Sequence, residues 1–220
     1  MAQATRPAGS SVSLSDDPIE SATNWLQVNS KPILLAVGGA AVVAASVLVY
    51  RSTTASTREK ASAALYLAQG PFTEGKYDEA RTALEKVASR YSSTASGQQA
   101  SLMLAQVLYE QKKYDEGIKS LQTALGSASS DFKASMEAMV AAGYEYKGEM
   151  AKAAEHYAKA AAASAFAADK QGYDAAQARS LMAAGKTADA RKIWESLAQL
   201  DGAPVQQEAN VRLGELLAKP

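Results

Sequence analysis

GKYDEARTAL, at residues 75–84, is the first of four related segments; KKYDEGIKSL (112–121), GEMAKAAEHY (148–157) and GKTADARKIW (185–194) follow it. Each holds a small residue and, four positions on, a bulky apolar one: Ala80/Leu84, Gly117/Leu121, Ala153/Tyr157 and Ala190/Trp194. The small residues stand 37, 36 and 37 positions apart (80 to 117, 117 to 153, 153 to 190). A second small residue lies twelve positions before each of them, at Ala68, Ala105, Ala141 and Ala178. That constant interval fits two antiparallel helices joined by a short turn. Such helices touch most closely at one point on each, and only small side chains there let the backbones approach. The bulky residue one turn later fills the gap towards the next hairpin. The pattern predicts an all-α chain: an α-solenoid of about four helical hairpins over residues 61–217. One further helix from Val205 to Leu217, with Leu213-Gly214 and Leu217 in the same register, is the terminal cap that a repeat stack needs.

Composition agrees. The 220 residues include 6 prolines and 14 glycines, and alanine is abundant, which favours helix. Lys+Arg 23 balance Asp+Glu 23, so no net charge draws the chain to nucleic acid. The absence of cysteine excludes disulfides, thiolate metal sites and cysteine nucleophiles.

A second pattern lies upstream. Ile33 to Tyr50 reads ILLAVGGAAVVAASVLVY, with no charge and one hydroxyl, Ser46. At the rise of an α-helix this run covers roughly 27 Å, close to the hydrocarbon core of a bilayer. Pro32 suits a helix start, and Trp25, Lys31, Tyr50 and Arg51 are interfacial residue types. The run is too long for the apolar part of a cleaved signal, so the expectation is an uncleaved transmembrane anchor at 31–51. Within it Ala36, Ala40 and Ala44 recur every four residues with Gly39 beside them, a spacing that suits helix–helix packing in lipid. Residues 1–30 form a tail, polar and disordered over 1–15. Asp17-Pro18 then opens a short lead-in in which Ile19, Ala22, Trp25 and Leu26 share one face, either an amphipathic surface helix or a frayed approach. Residues 52–60 are read as a connecting helix or linker.

The repeat segments resemble the tetratricopeptide repeat, whose unit carries the form W-x2-L-G-x2-Y…A-x3-F…P. Leu104-Ala105-x2-Leu108 and Val140-Ala141-x2-Tyr144 match its first part, and the four small/bulky pairs match its second. Departures are the first aromatic, replaced by Ala64, Ser101, Glu137 and Asp174, and the missing closing proline. Pro71 in the first unit is expected to end or kink its helix. The resemblance implies protein binding along a concave face lined by first helices. The positions that usually point there are Gln99, Leu102, Gln106, Tyr109, Glu145 and Arg179. The family's carboxylate clamp for acidic chain ends is not reproduced, since Gln106, Ala142 and Arg179 occupy the usual Asn site.

The layout of short tail, lead-in, single anchor and alanine-rich repeats is similar to the YfgM-type bacterial inner-membrane family. That similarity implies a cytoplasmic N-terminus, a periplasmic repeat domain and an ancillary place at the Sec translocon. The flanking charges lean the other way, with Arg6 and Lys31 before the span and Arg51, Arg58 and Lys60 after it.

Chemistry is not expected. His156 is the only histidine and is read as a surface residue, which leaves no metal cluster and no triad. Asp78-Glu79 and Asp115-Glu116 open second helices, where carboxylates favour the N-terminal dipole. The expected role is a non-enzymatic, membrane-anchored scaffold without cofactor or metal, whose partners are membrane lipid and other subunits of a membrane protein complex. A chaperone-like periplasmic receptor at the translocon is the alternative, and a structural subunit of a photosynthetic or respiratory complex is another.

Overall fold

The computed structural model describes residue 23 and residues 30–218. The expected tail and lead-in, including Ile19, Ala22, Trp25 and Leu26, lie outside the described residues. Every regular element among the described residues is helical. They are α1 (Ser30–Thr73), α2 (Tyr77–Arg90), α3 (Ala95–Glu110), α4 (Tyr114–Leu125), α5 (Ser130–Tyr146), α6 (Met150–Ala163), α7 (Ala167–Ala183), α8 (Thr187–Ala198) and α9 (Pro204–Ala218). The chain divides into two units, one ending at Thr53 and one running from Thr54 to Pro220.

In the first unit the apolar part of α1 is exposed all round, from Leu34 and Leu35 to Val49 and Tyr50. A helix apolar on every face has no side suited to water, so by length and composition it is a candidate membrane span. Its polar groups are satisfied within the helix: Ser46 Oγ donates to the Val42 carbonyl at 2.8 Å and Thr53 Oγ1 to that of Val49 at 2.9 Å. Hydrocarbon offers no other partner, which makes such internal bonds a requirement of a span. Ala36, Gly39, Ala40 and Ala44 are exposed with the rest. Residues 52–60 are helical, as part of α1.

In the second unit the end of α1 packs on α2 around Ala68 and Ala80, and α3 and α4, α5 and α6, and α7 and α8 pair likewise as hairpins. Each pair is joined by three residues. One chemical device closes all four turns. The amides of Lys76, Lys113, Glu149 and Lys186 donate to the carbonyls of Pro71, Leu108, Tyr144 and Leu181 at 2.8–2.9 Å. The preceding amides, of Gly75, Lys112, Gly148 and Gly185, donate to Phe72, Tyr109, Glu145 and Met182 at 2.9–3.1 Å. These paired bonds satisfy carbonyls that a helix end leaves orphaned, and they need a left-handed residue just past the end. Gly75, Gly148 and Gly185 supply it at φ 73–76°, and Lys112 supplies it at 58°.

Pro71 departs from expectation. It lies inside α1, which continues to Thr73. One turn from a helix end, a proline forfeits a single backbone bond, to the carbonyl of Leu67, a residue exposed to solvent. Its own carbonyl closes the turn.

The predicted contact points are all interior. Ala68, Ala80, Ala105, Gly117, Ala141, Ala153, Ala178 and Ala190 are buried. Leu84, Leu121 and Trp194 are fully buried beside them, while Tyr157 is half-buried. Three apolar clusters form along the stack, around Leu84, Leu121 and Trp194. Burying one such side chain stabilises by about 1.5–3 kcal/mol. Trp194, the largest fully buried residue, satisfies its ring N–H against Met182 Sδ at 3.2 Å.

A candidate protein-binding groove

Successive hairpins are tied by polar contacts of matching position. Gln111 Nε2, at the end of α3, donates to Asp78 Oδ1 at the start of α2, at 2.9 Å. One repeat later Lys147 Nζ, at the end of α5, meets Asp115 Oδ1 at the start of α4, at 2.6 Å. Hydrogen bonds to Asp115 and Glu149 hold the Lys147 ammonium well above the ordinary lysine value. The acidic residues expected only at helix dipoles are therefore also links between repeats. Deeper in, buried Gln98 of α3 accepts from Ser129 N and Oγ, both at 3.0 Å, at the N-terminus of α5. It holds the amide and hydroxyl of the residue that precedes the helix, whose own side chain makes no cap bond.

Between α2 and α4 the stack opens into a groove of about 630 Å³. The floor is α3, with Gln98, Ser101, Leu104 and Leu108; the walls carry Ala88 and Ser89 on α2 and Ser120 and Ala124 on α4. Arg81 of α2 and Glu116 of α4 close one end with an ion pair at 2.7 Å. Small wall residues and an aliphatic floor with a polar rim form a surface for another molecule's side chains. None of these residues is among those that the repeat register assigns to binding. The sequence signal for the groove is the coincidence of serines at 101 and 120 with a leucine at 108.

The residues expected to face a ligand differ in exposure and in the partners that engage them. Gln99, Gln106 and Arg179 are exposed, and Leu102 and Glu145 are half-buried. Arg179 is engaged by Glu208 of α9 through two contacts of 2.9 Å. Glu145 accepts from Ser180 Oγ at 2.8 Å and from Tyr157 Oη at 3.0 Å. Burial, then the neighbouring Glu145 charge, pushes the Tyr157 phenol well above its ordinary value. Tyr109 corrects the expectation outright: at 7% exposure it belongs to the core around Leu121. Gly117 and Gly143 leave room for its ring, and its hydroxyl donates to the Met139 carbonyl at 3.0 Å. Burial drives its phenol pKa far up.

His156 is also not a surface residue. Its side chain is 12% exposed, its Nδ1 meets Glu137 Oε2 at 2.6 Å, and its ring stacks on Tyr144 with centroids 5.3 Å apart. Among the described residues no three histidine, aspartate or glutamate side chains converge on a common point that could hold a metal ion.

Comparison with known proteins places the repeats. A tetratricopeptide repeat-like domain model matches residues 52–170, and a tetratricopeptide repeat model matches residues 175–219. No curated protein matches. Among solved structures, one described as a putative kinesin light chain with nearly identical TPR-like repeats from Podosopora anserina superposes with a TM-score of 0.57 at 18% identity. The match covers 72% of this chain and 86% of that one. A point variant of the same protein gives a TM-score of 0.56 at 18% identity, over 72% and 85% of the two chains. At such identity the likeness shows the fold. Repeats of this kind are in general non-catalytic modules that bind other proteins. With more than half its length matched by the first model, the chain belongs to the tetratricopeptide repeat-like domain family.

Proposed function

We propose that the chain is a non-catalytic accessory subunit, anchored in a bacterial inner membrane, that holds other subunits of a membrane protein complex through its repeats. The observation that carries this is α1. Its residues from Leu34 to Tyr50 expose apolar side chains in every direction, in a chain whose remainder is a protein-binding repeat. A protein-binding module confined to a membrane acts on partners that are there too. The similarity of layout to the YfgM-type family supports a periplasmic repeat domain, although the charges flanking the span lean the other way.

The test is purification of the full chain from native membranes in mild detergent, with quantification of what accompanies it. Stoichiometric partners that survive high salt are expected. Recovery as a lone monomer overturns the scaffold reading, and substoichiometric secreted proteins point to the receptor alternative. Protease access in sealed vesicles decides orientation, because digestion of the repeats from the cytoplasmic side alone reverses it.

A further inference from the structure

Ser101, Leu108 and Ser120 line the groove between α2 and α4. Thirty-six residues on, the same repeat positions are Glu137, Tyr144 and His156. There the three side chains fill the junction from within: His156 pairs with Glu137 at 2.6 Å and stacks on Tyr144 at 5.3 Å. Lys152, the counterpart of Glu116, lies 5.3 Å from the centroid of the Tyr144 ring. One junction thus encloses a phenol and an imidazole, and the junction before it, built on the same helix pattern, replaces both rings and the carboxylate by two serines and a leucine. What is left there is the open groove.

The chemistry of the filled junction states what the open one accommodates. Leu104 and Leu108 are buried beneath the groove and offer an aliphatic floor for a ring face. The Ser101 hydroxyl donates to the Gly97 carbonyl at 3.2 Å, so its oxygen remains an acceptor. Ser120 has no hydrogen-bond partner among the described residues, so its hydroxyl can donate or accept.

We infer that this groove receives a tyrosine side chain from a partner protein, seated where His156 sits one repeat later. The inference rests on the protein-binding reading above. The ring lies on Leu104 and Leu108, and its hydroxyl bonds to Ser101 or Ser120.

The experiment uses the full chain in lipid nanodiscs, with leucine methyl groups labelled for NMR and p-cresol as the probe. Saturable shifts are expected at Leu104 and Leu108. Binding should be at least about threefold tighter than that of 3-methylbutan-1-ol, because p-cresol brings the larger apolar surface to the leucine floor. S120H, which copies the chain's own filling residue, should abolish the shifts while the other leucine methyls keep their positions. If S120H does not fold, L108F places a ring in the groove and is read the same way. The inference is overturned by p-cresol leaving Leu104 and Leu108 unmoved, by equal affinity for the alkanol, or by unchanged shifts in a folded filling variant. Because no protein partner takes part, failure here leaves the scaffold reading standing, and a lone monomer on purification leaves the groove standing.

Discussion

Tyr109 of α3 occupies the space that Gly117 of α4 leaves open. A methyl group at 117 would overlap the ring at Cε1, and Gly143 of α5 flanks the same ring at its hydroxyl end. One aromatic side chain therefore sets two glycines in neighbouring helices, and the glycine at 117 stands where other repeats have alanine. Gly117→Ala and Gly143→Ala should each destabilise by about 1–3 kcal/mol, because a ring enclosed on both sides cannot step aside. Urea unfolding of the full chain in mild detergent measures this, and an unchanged midpoint for both variants contradicts the packing described. Tyr109→Phe, which loses only the bond to Met139, should cost about 1 kcal/mol.

Lys112 adopts the left-handed conformation that glycine takes at 75, 148 and 185. A side chain there costs roughly 1 kcal/mol or more in backbone strain, partly offset because glycine is freer in the unfolded chain. Lys112→Gly should therefore raise stability, by about 0.5–1 kcal/mol. A lower melting temperature for Lys112→Gly would show that the lysine side chain stabilises through contacts that outweigh the strain.

Ala141 and Ala153 mark the crossing of α5 and α6, both fully buried. Replacing either by leucine inserts three carbons where backbones approach, and should cost about 1–3 kcal/mol or more. The same change at Ala151, on the half-buried side of α6, should cost less. Thermal melts followed by far-UV circular dichroism compare the three; equal effects at 141, 151 and 153 would mean that no such crossing exists.

Alkali should unfold the repeats through Tyr109 and Tyr157. Both phenols have pKa values raised above the ordinary 10.0, by burial first. The unfolded chain then ionises before the folded one, so their contribution is intact below about pH 10 and is lost as pH climbs through the folded values. Lys147, also raised, acts in the same direction. Unfolding free energy measured across this range should fall, and Tyr109→Phe with Tyr157→Phe should flatten the fall. A profile with no decline on the alkaline side would rule the linkage out.

The hairpins are legible in sequence because their signal is local and repeated. Small residues twelve apart, at 68/80, 105/117, 141/153 and 178/190, mark the crossings, and all eight are interior. The four turns follow from backbone chemistry at a helix end, although Lys112 hides one of them from a search for glycine. Tyr109 misleads because its register position suits a groove, and only the two glycines from other helices draw it inside. His156 has the sequence context of a surface residue within its amphipathic helix; Glu137 and Tyr144 of the preceding helix enclose it. The open junction has a sequence signature too, visible when positions 101, 108 and 120 are compared with 137, 144 and 156 at the same spacing.

By itself the sequence determined the helices, their pairing and the apolar run of α1, since each depends on residues a few turns apart along one chain direction. Only the tertiary structure gave meaning to the differences at 101, 108 and 120, by bringing those positions together in one junction that stays open while the next one closes. That outcome is a sum of side-chain volumes contributed by three helices, and no single helix carries the information. The same summation turned Tyr109 and His156 inward and left Ser101 and Ser120 lining an open groove.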